Sequence, residues 1–223
     1  MITHDHFHPA AQALGAEIPI TPTEKLVTGV YASVDAAAAG EVGRLLSEEG
    51  ITPSCQRGCW YCCRYHILIN VAEAHTLAQY VKRDMPAAQV DALRIRTRQW
   101  QAWDNSRPGR YPAADMDTGA DLADYVHRCP LLVDGACSAY PVRPVVCRTH
   151  LVRSHPRLCQ AAGDPESTQD RPAVLKSVVA VAAPFSAIIK DHIEKSGLDF
   201  SRSIMLLPHW LAAEMQWDLS PSS

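Results

Sequence analysis

Cys55-Gln-Arg-Gly-Cys59-Trp-Tyr-Cys62-Cys63 puts four thiols within nine residues, half of the eight cysteines in this 223-residue chain. The other four follow in a second block: Cys129-Pro-Leu-Leu, then Cys137, then Arg143-Pro-Val-Val-Cys147-Arg148, and last Cys159. A cysteine that only fills a core needs no sulfur neighbour. A soft metal ion or an iron–sulfur cluster needs three or four thiolates converging on one point. Segments that carry such ligands are irregular connectors, so regular structure is expected on either side of them.

Outward from the first block the pattern is helical. Thr21-Pro22-Thr23-Glu24 reads as a helix start, with a threonine cap, proline in the first turn and glutamate three residues after the cap. The helix is expected to run through the alanine-rich stretch to Glu49, where Gly50 stops it. After the block, His66 to Asn70 is brief and apolar. Asn70 then caps a helix through Val71, Ala74, Leu77, Ala78 and Val81, which ends before Pro86. A further helix from about Ala87 to Trp103 turns Val90, Leu93 and Trp100 inward. Asn105 to Thr118 reads as a loop on Pro108-Gly109, Pro112 and Asp117-Thr118-Gly119. Asp134-Gly135 between short apolar runs predicts one small β-hairpin that brings Cys129 and Cys137 together. Pro172 is expected to open a long helix towards Gly197, and a last helix to span Ser201 to Trp217 with an interruption at Pro208. The expected fold is mainly α: a flexible arm over residues 1–20, then a single helical domain over 21–223 whose cysteine core covers about 55–160.

Composition narrows the function classes. The net charge is −3 and the sequence pI near 6.3, without the basic excess of a nucleic-acid or membrane-surface binder. The opening residues lack the basic start and apolar run of a secretory signal, and no stretch approaches the roughly 20 apolar residues of a membrane span. The apolar run Val178 to Ile189 ends at Lys190-Asp191 and reads as a buried helix. A cytoplasmic, reducing setting is therefore expected, in which durable disulfides are rare. A disulfide framework is the competing reading of an even cysteine count, but adjacent Cys62 and Cys63 suit it poorly. No Walker-type loop, dinucleotide glycine fingerprint or serine elbow is present.

Cys59-x2-Cys62 can turn two sulfurs to one ion, and one helical turn would set Cys55 on the same side as Cys59. Cys63 or the second block must supply a fourth ligand. Eight thiols suffice for two four-thiolate sites, although nothing in the spacing requires both. Within this chain the first-block thiols rank first as ligands, Cys137 and Cys147 next, Cys129 and Cys159 last. Four thiolates around zinc, or around a four-iron cluster in its 2+ state, leave a charge of about −2. Arg143 and Arg148 flank Cys147 and can offset that charge or hydrogen-bond to sulfur.

Cys55-x3-Cys59-x2-Cys62-Cys63, then Glu73 at a helix start, then Cys129-Pro-Leu-Leu, Gly135-x-Cys137-x2-Tyr140-x2-Arg143-Pro144-x2-Cys147-Arg148, resembles the YkgJ-type cysteine-cluster family, described as a zinc- or iron-chelating domain. The resemblance implies that the shared cysteines are ligands to iron, a 4Fe–4S cluster or zinc. It also implies that Glu73 and Tyr140 are positions the pattern fixes. Flagellin lysine N-methylases carry a similar cluster with an attributed iron–sulfur centre, which opens a redox or group-transfer, methyltransferase-like reading. Cys55-x3-Cys59-x-Tyr61-Cys62 also resembles the three-cysteine loop of radical S-adenosylmethionine enzymes. Against that stand Cys63, the helical pattern and a chain short for a barrel.

The remaining candidates have plain alternatives. His4, His6 and His8 alternate on a terminal arm, where a solvated end competes with a metal site. His66, His75, His127 and His150 lie near the blocks, with His150 the best spare ligand or proton carrier. Glu73 is either a helix-start acid paired with Asn70 or a base near the metal. Trp60 and Tyr61 either cover the cluster or form a surface for a protein partner. Arg94, Arg96, Arg98, Arg107 and Arg110 make a modest basic stretch, read as a solvated face or an anion site.

Overall fold

A computed structural model describes residues 22–56, 58–106, 127–162 and 170–218. Its spine is α1 (Thr23–Glu49), which buries Leu26, Val27, Val30, Tyr31, Val34, Ala38 and Leu45 at three- and four-residue intervals. Gly50 adopts the left-handed conformation that ends it, with φ 66°. Its N–H reaches the Leu46 carbonyl, and the Ile51 N–H reaches that of Leu45. The helix starts at Thr23 with Pro22 in the cap position and no side-chain cap bond. The expected cap, Thr21, lies outside the described residues, as do the arm over 1–20 with its histidines and Arg107 and Arg110 in the expected loop.

The strand β1 (Leu68–Ile69) leads into α2 (Val71–Asp84). Asn70 caps α2 as expected, its Oδ1 accepting the Glu73 N–H at 3.0 Å. The next helix, α3 (Ala87–Ser106), runs slightly past Trp103; Leu93 and Trp100 are buried and Val90 partly so. The hairpin pairs β2 (Leu132–Val133) with β3 (Ala136–Cys137), Leu132 opposite Cys137. Asp134 and Gly135 both have positive φ, 49° and 75°, the two-residue turn that matches strand twist. Gly135→Ala should cost about 1–2 kcal/mol, because a Cβ is disfavoured at that φ. Denaturant melts check this; an unchanged midpoint would show that the turn relaxes freely.

After the hairpin come α4 (Val145–Thr149) and α5 (Pro156–Ala161), then α6 (Lys176–Ala180), α7 (Ala183–Lys195), β4 (Met205–Leu206) and α8 (Leu207–Glu214). The core forms where Leu26, Val30 and Val34 of α1 meet Leu77 and Val81 of α2, Phe185, Ile189 and Ile193 of α7, and Leu211 of α8. A smaller cluster of Ala38, Leu45, Leu175 and Val178 closes the other end of α1. The mainly α expectation holds. No helix among the described residues is long and apolar enough to cross a membrane.

Three local expectations are corrected. The long helix from Pro172 is two helices: Val174 instead bridges Val152, and Pro184, which has no N–H, opens α7. Pro208 does not interrupt a last helix but starts α8 near its first position, and Met205–Leu206 before it pair with Ile69 and Leu68. No helical turn joins Cys55 to Cys59; a tight turn does, with Gly58 at φ 89° and the Cys59 N–H on the Gln56 carbonyl.

Candidate metal centre

The chain leaves α1 at Gly50 and runs as an extended connector to Cys55. Ser54 fixes it there, its N–H donating to the Val152 carbonyl at 2.8 Å and its hydroxyl to the Ser154 carbonyl. The Val152 N–H in turn points at Cys55 Sγ, 3.4 Å away. After Cys59 the chain forms a 3-10 turn, Tyr61–Arg64, that carries Cys62 and Cys63. The Cys129 N–H donates to the Cys63 carbonyl at 2.7 Å, so the second block begins directly against the end of the first. The hairpin returns Cys137 to the level of Leu132, and α4 carries Cys147. Helix α5 packs on the 3-10 turn, with Arg64 donating to the Gln160 carbonyl at 3.4 Å, and delivers Cys159.

All eight cysteines are free, which removes the disulfide reading, and Cys159 is buried. Burial pushes most of the thiols up. Cys129 rises to about 12 and Cys159 to about 11, and Cys147 rises as well. Neighbouring sulfurs add to the effect: Cys55, Cys59 and Cys62 act on Cys159, and Cys129, Cys137 and Cys62 act on Cys147. Cys62 is the exception. A hydrogen bond from the Cys63 thiol holds it down to about 7 and, for the same reason, raises Cys63. The two cysteine blocks, far apart in sequence, thus form one electrostatically connected set of sulfurs. A family profile described as a putative zinc- or iron-chelating domain matches residues 54–172, more than half of the chain. The chain belongs to this CxxCxxCC family. No curated protein and no solved structure matches it. The profile extends past the expected boundary near 160 to residue 172, so the CxxCxxCC domain takes in the whole of α5.

Whether the residues fit a metal is tested by the groups around them. Among the described residues, no three His, Cys, Asp or Glu side chains are already arranged to hold an ion. Arg143 Nε, Ser138 Oγ and His150 Nε2 are each buried with no hydrogen-bond partner among the described residues. Arg143 acts on Cys62 and Cys137, and Ser138 follows Cys137 in the chain. Donors left bare beside protonated thiols gain acceptors when those thiols become metal-bound thiolates. The donor set therefore fits zinc or iron.

The two arginines expected near the cluster divide their work. Arg148 is buried and fully engaged: Nη1 on Asp35, Nε on the Arg143 carbonyl at 2.8 Å, Nη2 on the Pro141 carbonyl at 2.6 Å, and its plane 4.1 Å from the Tyr31 ring. It is a buttress for α4. Arg143 lies 4.1 Å over the exposed Tyr140 ring, and its Nε is buried and unclaimed. Tyr140 thus positions Arg143. Arg96, from the basic stretch, donates to the Pro130 carbonyl at 2.7 Å and helps to lower Cys129.

Sequence reasoning missed the reach of Glu73. Besides meeting Asn70, its carboxylate accepts the Val145 N–H at 2.9 Å, the Asn70 amide at 2.8 Å and the Tyr31 hydroxyl at 3.4 Å. It anchors the start of the helix that carries Cys147. Glu73→Ala leaves buried donors bare, at about 1–3 kcal/mol each. Burial raises Glu73 above its ordinary 4.5, so the folded state holds that proton more tightly than the unfolded chain. This contribution is fully present below 4.5 and lost as pH rises through the raised folded value. Urea melts should show the wild-type advantage over Glu73→Ala narrowing across that window; a widening advantage would contradict the assignment.

The histidines near the blocks have further partners. His75 pairs with Glu214 at 3.3 Å, and the Trp103 ring contacts both the His66 and His127 rings. His150 meets the edge of Tyr65, and burial keeps its imidazole neutral. Trp60 packs on Gly135 at the hairpin turn, beneath Arg128 and beside Tyr61.

Proposed function

We propose that this CxxCxxCC domain holds iron as a thiolate-ligated iron–sulfur cluster. The observation that carries the reading is the joining of the two free-cysteine blocks, the Cys129 N–H on the Cys63 carbonyl, with Arg143 Nε and the Ser138 hydroxyl buried and unclaimed in the second block. N–H and O–H donors aimed at sulfur stabilise and tune such a cluster. Arginine charge offsets the roughly −2 left by four thiolates around a 2+ core. When bound, the cluster supplies reversible one-electron chemistry and ties the connectors into one unit. This chain's residues position it: Ser54 fixes the approach to Cys55, Glu73 and Arg148 fix α4, and Tyr140 packs against Arg143.

The radical S-adenosylmethionine reading needs three thiolates and one open iron. Helix α5 packs on the 3-10 turn that carries Cys62 and delivers Cys159 there, which supports a filled fourth position instead. We read the domain as an electron-transfer or accessory metalloprotein rather than a group-transfer enzyme, working in the cytoplasm with a protein partner. Metal and sulfide analysis of anaerobically purified protein, with its absorption spectrum, tests the proposal. Iron and sulfide in near-equal amounts with a broad band near about 400 nm are expected. Colourless protein with zinc would overturn the cluster, and protein with no stoichiometric metal would overturn the function.

A further inference from the structure

Charge is unevenly spread along this chain. Residues 51–66 and 127–162, which carry all eight cysteines, hold seven arginines, no lysine, no glutamate and one aspartate, Asp134. The remaining residues hold 14 basic and 23 acidic side chains, so the net −3 hides a basic part and an acidic part. Elsewhere, cations are neutralised locally: Arg44 by Glu41 and Glu48, Arg83 by Glu24 and Asp84. Six of the seven arginines are described, and among the described residues only Arg148 of these forms an ion pair, with Asp35. Arg128, Arg153 and Arg157 are exposed.

Aromatic and apolar side chains meet this charge at the tip of the hairpin. Trp60 packs on the turn, where a Cβ at Gly135 would lie 3.6 Å from its Cδ1. The Arg128 guanidinium stands 5.2 Å from the Trp60 ring centroid, and the Tyr61 ring lies 5.2 Å from that of Trp60. Val133, beside the turn, is apolar yet 38% exposed. At the other end of the hairpin, exposed Tyr140 carries Arg143 in the same way. A guanidinium stacked on a ring keeps its N–H edge free for a second partner.

We propose that the hairpin tip, formed by Trp60, Tyr61, Arg128 and Val133, is the docking face for an acidic protein. This rests on the reading that the domain works with a protein partner. Tryptophan, tyrosine and arginine without lysine or glutamate is the composition of a protein interface core. A surface built to grip a phosphate backbone draws on lysine as well as arginine, and these segments have none. Partner carboxylates match the arginine fork, and the wider positive field steers their approach. Val133 and the Trp60 ring supply apolar area for the contact to desolvate. Trp60 precedes the turn that carries Cys62 and Cys63, and the hairpin ends at Cys137, so a partner seated here borders both cysteine blocks.

The probe is a fluorescein-labelled random copolymer of glutamate and tyrosine, titrated with full-length anaerobic protein and followed by anisotropy. The wild type should bind it, more weakly as salt rises. Arg128→Glu should weaken binding by at least about tenfold, and Val133→Glu should weaken it too. Arg202→Glu makes the same change of net charge on an exposed arginine outside the hairpin and should leave binding unchanged. Circular dichroism and metal content, measured on every sample, should match the wild type in Arg128→Glu. No binding of the copolymer, or equal losses in Arg128→Glu and Arg202→Glu, would overturn the docking face. Tighter binding of a thymidine oligonucleotide of equal charge would overturn it in favour of nucleic acid. Metal-free wild type that still binds at this face would sink the metal reading and leave the face standing; metal-loaded protein that ignores the copolymer would do the reverse.

Discussion

Replacing Cys62 with serine should remove at least half of the bound metal and lower the melting temperature of the metal-loaded protein; Cys59→Ser should do the same less severely. The difference follows from position. Cys62 lies on the 3-10 turn against which the second block begins and influences Cys55, Cys63, Cys129, Cys147 and Cys159. The hydrogen bond from Cys63 also lowers its thiol to about 7, which favours the thiolate that binds metal. A serine hydroxyl is a poor ligand for soft metal, and it ends the hydrogen bond from Cys63. Site formation and folding of the Cys55–Arg64 connector are coupled, since little regular structure holds that connector otherwise. Metal content and melting curves with and without chelator report both effects. Full occupancy in both variants would place the centre elsewhere.

Arg148→Ala should destabilise the metal-free domain by about 2 kcal/mol, from lost charged hydrogen bonds to part-buried carbonyls. The side chain is only 4% exposed, and it gives the carbonyls of Pro141 and Arg143 their donors. Its partner Asp35 is 47% exposed, so water screens that ion pair and most of the loss comes from the carbonyls and the Tyr31 face. Arg148→Lys should recover only part, because an ammonium cannot span carboxylate and both carbonyls as the planar fork does. Arg143→Ala should leave the metal-free melt nearly unchanged and alter the metal-bound spectrum instead. Denaturant melts of metal-free protein separate the two; equal losses at both positions would erase the distinction between buttress and sulfur donor.

Much of the frame is legible in the chain because its signals are local. Gly50 ends α1, Asn70 caps α2, and Asp134-Gly135 turns the hairpin, each through backbone preferences that need no tertiary partner. Proline is read less well. Pro184 and Pro208 begin helices rather than break them, because upstream residues are drawn away, Val174 to Val152 and Met205–Leu206 to β1. The meeting of the two cysteine blocks is the least legible feature. It depends on the Cys129 N–H reaching the Cys63 carbonyl and on α5 packing against the 3-10 turn. Nor does the sequence distinguish Arg143 from Arg148, whose roles depend on Asp35 and Tyr31 of a distant helix.

X-ray absorption at the edge of the bound metal tests the central claim most directly, on protein purified without oxygen. The account predicts iron with a first shell of sulfur alone, near about 2.3 Å, and a further iron shell from the cluster. A first shell dominated by nitrogen or oxygen would contradict it, because the metal would then sit on histidines or carboxylates and not on these cysteines.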